Sequence, residues 1–227
     1  MTHGPDARAA IVCDLVIPCR DEAPALPPVL AAVPEGFGAI VVDNGSTDGT
    51  ADVARAHGAR VVSEDAPGYG AAVHAGMLAA TAEFVAVIDG DGSMDPADLV
   101  PMLQLVRDGD ADMAVGRRRP VSSSVWPWHA RAGTAALAWT IRRGSSVDIH
   151  DLAPMRVCRR QALLDLGVED RRFGYPLELM RRAAAAKWSI REIDVSYRER
   201  AKGTKSKVSG SVRGTVRTIH DFAKVMR

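Results

Sequence analysis

Over its first 116 residues the chain alternates short, unbroken runs of Val, Ile, Leu and Ala with longer stretches in which apolar residues recur every three or four positions. The unbroken runs predict strands at 11–18, 39–43, 60–63, 84–89 and 112–116, and the longer stretches predict helices near 24–33, 47–57, 69–81 and 96–107. Turn and cap residues agree with these bounds. Pro67-Gly68 precedes the third helix, and Asp95-Pro96 supplies an N-cap followed by proline at the first helical position of the fourth. Near-continuous apolar strands alternating with helices specify a parallel sheet covered on both faces, an α/β fold of Rossmann-like layout. Ligands of such sheets bind beyond the carboxyl ends of the strands.

Beyond residue 116 the pattern loosens. It predicts a helix at about 128–143 after Trp126-Pro127-Trp128, a short strand or extended piece near 152–157, and a helix at about 159–166. A further helix follows Tyr175-Pro176, and 189–197 alternates like a strand. The Gly/Lys/Ser stretch 202–211 reads as a mobile loop, and 212–226 as a closing helix. With no internal repeat and no long linker, a single domain is expected.

Composition is that of an ordinary globular protein, 47% hydrophobic and 25% charged over 227 residues, which excludes disordered and collagen-like classes. The net charge of +1 hides a division. Residues 1–110 hold 5 Lys/Arg against 17 Asp/Glu, a balance of −12; residues 111–227 hold 24 against 11, a balance of +13. An acidic half suits a cation and a basic half suits phosphate, although pairing of the two across the surface would satisfy the same numbers. Cys13, Cys19 and Cys158 have neither metal-ligand spacing nor a disulfide framework and read as buried thiols of a reducing compartment. The start MTHGPDAR lacks the order of a signal peptide, and no run is long and apolar enough to span a bilayer, so a cytoplasmic protein is expected.

The chemistry sits at strand ends. Strand 1 closes on Ile17-Pro18-Cys19-Arg20-Asp21-Glu22 without the glycine-rich turn of a dinucleotide-binding unit, which counts against a dehydrogenase. Strand 2 closes on Asp43-Asn44-Gly45-Ser46-Thr47-Asp48, where Asp43 is placed to hydrogen-bond a nucleoside; a capped turn without a ligand is the plainer alternative. Strand 4 closes on Asp89-Gly90-Asp91-Gly92-Ser93. Two carboxylates separated by glycine at the end of a buried strand suit Mg2+ or Mn2+, which bridge to substrate phosphates, whereas a polar turn needs the same residue types.

Taken in order, Pro18–Glu22, Asp43–Asp48, Gly68-Tyr69-Gly70 and Asp89-Gly90-Asp91 resemble the nucleotide-sugar half of family-2 glycosyltransferases of the GT-A fold. Gly116-Arg117-Arg118, Asp151, Phe173-Gly174-Tyr175-Pro176-Leu177-Glu178 and Tyr197–Gly203 followed by Ser206-Lys207 resemble the dolichyl- and polyprenyl-phosphate sugar synthase branch. The similarity spans roughly 11–210, with Ser93 standing where a glutamine often helps the metal. It implies a nucleotide-sugar-binding half at 11–116 and an acceptor half at 117–227. It also implies nucleoside contacts from Pro18, Arg20, Glu22 and Asp43, and Asp91 as the main metal ligand with Asp89 near ribose and metal beside Gly90. Arg117, Arg131, Arg200 and Lys207 would face phosphates.

The implied reaction is inverting transfer from a UDP-, GDP- or dTDP-sugar, with polyprenyl phosphate as the favoured acceptor and a small-molecule or saccharide hydroxyl as the alternative. A hydroxyl needs a general base, for which Glu178 is the first candidate and Asp151 the second; a lipid phosphate arrives ionised, and either carboxylate then only orients substrate. A sugar-nucleotidyltransferase is disfavoured by the lack of a glycine-rich, Arg-bearing loop after strand 1, and a silent binding module by the intact Asp89-Gly90-Asp91 and Glu178. No nucleic-acid motif accompanies the basic half. Trp126, Trp128 and His129 line an acceptor pocket or simply pack. The basic, apolar-striped helix 212–226 is compatible with peripheral contact at an anionic membrane as well as with packing on its own domain.

Overall fold

The computed structural model describes residues 10–122, 124–126, 128–144, 147–152, 154–201 and 203–204. Lys207 and the expected helix 212–226 lie outside them. The described elements run β1 (Cys13–Cys19), α1 (Leu26–Ala31), β2 (Phe37–Asp43), α2 (Thr50–Ala56), β3 (Arg60–Ser63), α3 (Tyr69–Ala79), β4 (Phe84–Val87), α4 (Leu99–Arg107) and β5 (Met113–Pro120). They continue with α5 (Trp128–Gly144), β6 (Arg156–Arg159), α6 (Arg160–Asp165), α7 (Tyr175–Ala185) and β7 (Ile190–Tyr197). A single-turn 3-10 helix, Pro96–Asp98, leads into α4, and the Asp95 carboxylate caps it by accepting the Ala97 N–H.

Seven strands form one sheet in the order β3-β2-β1-β4-β6-β5-β7. All pairs are parallel except those of β6, which runs antiparallel to both β4 and β5. Alternate strand residues feed opposite faces. Leu15, Ile17, Val41 and Ala86 pack under α1, α2 and α4, while Val16, Ile40, Val42 and Val85 pack under α3, α5 and α7. Both faces are thus covered, as the unbroken apolar strands require. Among the described residues no helix is long and apolar enough to cross a membrane.

Two elements depart from the sequence pattern. The strand expected to stop at 116 continues to Pro120, because the edge strand β7 pairs with it in register from Met113↔Ile190 to Pro120↔Tyr197. Arginines are tolerated on that stretch since one side is open, where Arg119 pairs with Asp194 at 2.8 Å. The extended piece near 152–157 forms a strand only from Arg156, and it inserts between β4 and β5. The two halves of the chain therefore interleave in one sheet.

Helix α3 approaches the sheet closely because Gly76 faces it: a Cβ there would lie 2.3 Å from Val16 Cγ1 and 3.0 Å from Val42 Cγ2. Gly76→Ala is expected to lower stability by about 1–3 kcal/mol through overpacking. Urea unfolding checks this, and an unchanged midpoint would show that the contact yields.

Candidate active site

Three loops converge beyond the carboxyl ends of β1, β2 and β4. Side chains of 43–50 stitch the first two together. The Asp21 N–H donates to Ser46 Oγ (3.0 Å), the Glu22 N–H to Thr50 Oγ1 (2.9 Å) and the Ala23 N–H to Asp48 Oδ2 (3.0 Å). Asp21, at a left-handed φ of 52°, accepts the Thr47 N–H in return at 2.8 Å. Asp43 is half-buried and accepts the Ser46 N–H at 3.0 Å. Pro18 lies within β1 opposite Val42, and Arg20 is exposed beside it.

Asn44 has a larger part than a turn residue. Its Nδ2 donates to the carbonyls of Glu64 and Ala66 (2.8 Å each), its Oδ1 accepts the Gly68 N–H (2.9 Å), and its own N–H donates to the Cys19 carbonyl (2.9 Å). One buried amide thus fixes three loops.

The strand-4 loop brings the carboxylates together. Gly90 leaves just enough room: a Cβ there would lie 2.5 Å from Cys19 Sγ and 2.7 Å from Glu22 Oε2. Glu22, Asp89 and Asp91 consequently share one electrostatic environment. Burial, then Asp89 and Asp91, push the Glu22 carboxyl up to about 8, and Asp89 is raised by burial and then by Asp91. Glu22 Oε2 is buried without a hydrogen-bond partner. Asp91 is 1% exposed; its Oδ1 accepts the Ser93 N–H (2.9 Å) and its Oδ2 pairs with Arg200 Nε (3.1 Å). The segment after β7 docks on this loop through Arg198 N–H to the Ser93 carbonyl (2.8 Å) and Ala201 N–H to the Asp91 carbonyl (2.9 Å). Among the described residues no three His, Cys, Asp or Glu side chains form a ready metal cage. Two carboxylates plus substrate oxygens remain a common donor set for Mg2+ or Mn2+, and the crowding of Glu22, Asp89 and Asp91 that raises Glu22 is a repulsion that a cation would offset.

Three arginines act on Asp89: Arg200, Arg118 and Arg156. Arg118 is the neighbour of Arg117, the residue expected to face phosphate. Once β5 is seen to continue past 116, alternation sends the two side chains to opposite faces, and it is Arg118 that acts on Asp89. Asp151 grips Arg118 through its backbone N–H (3.0 Å), Nε (2.8 Å) and Nη2 (2.7 Å). The guanidinium lies 4.1 Å from the Trp126 ring centroid and 5.4 Å from that of Tyr197. Arg156, buried in β6, donates to Tyr69 Oη (3.0 Å) and to the Pro154 carbonyl (3.0 Å). Neither Arg156 nor Tyr69 carries a sequence signal beyond the Gly68-Tyr69-Gly70 motif.

Other expected residues stand apart. Arg131 is exposed on α5 with no contact to the carboxylates among the described residues. Glu178 holds a loop: Oε1 accepts the Glu169 N–H (3.1 Å) and Arg182 Nε (2.6 Å), and Oε2 accepts the Asp170 N–H (2.7 Å). Burial pushes its carboxyl up, but the hydrogen bonds from Asp170, Glu169 and Arg182 outweigh that and hold it below the usual range. A carboxylate so engaged is a weak proton acceptor.

The Glu22 environment has a consequence for stability. The unfolded chain releases the Glu22 proton near 4.5 and the folded chain near 8, so the folded state binds more protons between these values. In metal-free buffer, stability is expected to fall as pH rises through this window, and Glu22→Gln should flatten the decline. Denaturant titrations at pH 5 and 8 measure it; equal slopes in both proteins would refute the assignment.

The profile of Glycosyl transferase family 2 matches residues 14–165, which include the loops after β1, β2 and β4. The chain belongs to glycosyl transferase family 2. The glycosyltransferase is 60% identical over 212 residues to an uncharacterised glycosyltransferase of Mycobacterium tuberculosis, covering 93% of this chain and 96% of that protein. It is 32% identical over 218 residues to the polyprenol monophosphomannose synthase of Mycolicibacterium smegmatis, covering 87% of this chain and 81% of that one. Among solved structures its fold is similar to glucosyl-3-phosphoglycerate synthase from Mycobacterium tuberculosis, crystallised with Mn2+, UDP and glucosyl-3-phosphoglycerate. The TM-score is 0.73 at 20% identity, over 99% of this chain and 86% of that one. The expected GT-A architecture and single domain hold.

Proposed function

We propose that this glycosyltransferase moves one sugar, with inversion, from a UDP-, GDP- or dTDP-linked donor to a polyprenyl phosphate, and that it uses Mg2+ or Mn2+. The observation that carries the acceptor is the state of the two candidate bases. Asp151 is bound to Arg118 and Glu178 to the 169–170 amides and Arg182, so neither carboxylate is placed to take a hydroxyl proton. An acceptor that arrives ionised needs no base. The names of the relatives support this reading, since one is a polyprenol monophosphomannose synthase and another an undecaprenyl-phosphate mannosyltransferase, the latter 30% identical over 218 residues.

The nucleoside lies along the loops at 18–22 and 43–48, against Pro18, Arg20, Glu22 and Asp43. Asp91 and Asp89 would hold the cation, whose chemistry would be to offset the charge on the departing diphosphate. Arg118 and Arg200, which both act on Asp89, would stabilise the same charge. Arg131, exposed on α5, and Lys207 meet the acceptor phosphate. Residues 11–116 thus serve the donor and 117–227 the acceptor, apart from the two arginines that reach back. A lipid acceptor brings with it a cytoplasmic location and peripheral contact with the inner membrane face.

The test is a donor screen across UDP-, GDP- and dTDP-sugars with Mn2+, with and without a polyprenyl phosphate, scored by product extracted into organic solvent. Lipid-linked sugar is the expected product. Sugar transfer only to water-soluble hydroxyl compounds would overturn the acceptor assignment.

A further inference from the structure

Glu192 stands in β7, paired in register with Val115 of β5, three residues before Arg118. Its carboxylate is turned against the loop that carries Asp151. Oε1 accepts the N–H of His150 (2.6 Å) and of Asp151 (3.0 Å), and Oε2 lies 2.8 Å from His150 Nδ1. The side chain is 10% exposed. One acid therefore binds two consecutive backbone amides at the point where the chain aims Asp151 at Arg118. Asp151 then takes Nε and Nη2 of Arg118, which fixes the guanidinium plane, while the Trp126 ring lies 4.1 Å away and the Tyr197 ring, in edge contact with Trp126, lies 5.4 Å away. Nη1 has no hydrogen-bond partner among the described residues and is the edge left for a ligand oxygen.

We propose that Glu192 is a positioning residue of the transfer site: it fixes the His150–Asp151 backbone, so that Asp151 presents the Arg118 guanidinium ready-aimed at a phosphate. The proposal rests on the reading that Arg118 faces the donor diphosphate. Without the Glu192 carboxylate the amides of 150 and 151 lose their acceptor, and Asp151 is free to turn. The cost of ordering Arg118 then falls on ligand binding. Charge-assisted bonds of this kind are strong and geometrically demanding, so a shortened side chain does not substitute.

The experiment follows the Arg118 Nε–H by NMR on protein labelled with 15N-arginine, the signal being assigned by its loss in Arg118→Lys. Thermal melts and calorimetric affinity for UDP and GDP with Mn2+ accompany it. Glu192→Ala should speed exchange of this proton and weaken the nucleotide that binds by about tenfold, the scale of one hydrogen bond to a charged group. Glu192→Asp should do the same, and it keeps the proposal testable if the alanine variant does not fold. Glu192→Gln retains an acceptor for both amides and should stay within about threefold of the parent. In an Asp151→Asn background, Glu192→Ala should add less than about twofold, because its route to Arg118 is already cut. An Arg118 Nε–H unmoved in the alanine and aspartate variants, or effects of Glu192 and Asp151 that simply multiply, would overturn the proposal. If the parent binds neither nucleotide, the functional reading fails, and the NMR measurement still decides the part played by Glu192.

Discussion

Asp91→Asn is expected to lower nucleotide-sugar turnover by about 10³-fold or more, the scale of losing a cation that stabilises a leaving diphosphate. The substitution keeps the shape of a side chain that is 1% exposed and can still accept the Ser93 N–H. It removes the charge that pairs with Arg200 and would hold the metal. Because the fold around residue 91 should persist, an unchanged melting profile with lost turnover separates chemistry from unfolding. Full turnover in excess EDTA, or an Asp91→Asn enzyme as fast as the parent, would sink the metal role.

The second large effect distinguishes the acceptors. With an ionised acceptor, Glu178→Gln should keep its single-turnover rate within about tenfold of the parent, whereas loss of a true general base costs about 10²–10⁴-fold. Some stability will go, since an amide cannot accept all three hydrogen bonds that Glu178 accepts from Glu169, Asp170 and Arg182. Arg118→Ala and Arg200→Ala should each cost about 10²-fold, the upper range for a hydrogen bond to a charged group. The two classes of variant are compared by rapid quench with saturating donor. A Glu178→Gln protein that binds donor normally but transfers no sugar would return the assignment to a hydroxyl acceptor.

The loop after β4 was legible because its signals are local. Strand 4 is buried and apolar until it breaks into Asp89-Gly90-Asp91, and the Asp95-Pro96 cap marks the next turn. What sequence could not supply is long-range pairing. Nothing in Arg156–Arg159 shows that this run enters antiparallel between β4 and β5, since four residues carry a period but no direction. Without β7 beside it the pattern ends β5 at 116, so nothing in the sequence says which of Arg117 and Arg118 shares a face with Asp89. Glu178 illustrates the same limit: its position in the first turn of α7 is readable, but its partners Glu169 and Asp170 belong to the preceding loop.

The three cysteines give the protein a built-in clock for its own opening. Cys13, Cys19 and Cys158 are all buried, and burial is the first cause that drives each thiol upward, Cys158 to about 12. Thiolate is the reactive form, so an aqueous disulfide reagent finds almost none of it in the folded state. Labelling then waits on structural opening, and the positions differ in kind. Cys13 and Cys158 lie in sheet pairs on either side of β4, where exposure requires the central strands to part. Cys19 ends β1 against Gly90 and Glu22, where a breath of the loops after β1 and β4 would suffice. Faster modification of Cys19 alone therefore times the local motion of these loops, and under the proposed function an added nucleotide should slow it, which reads occupancy without any turnover.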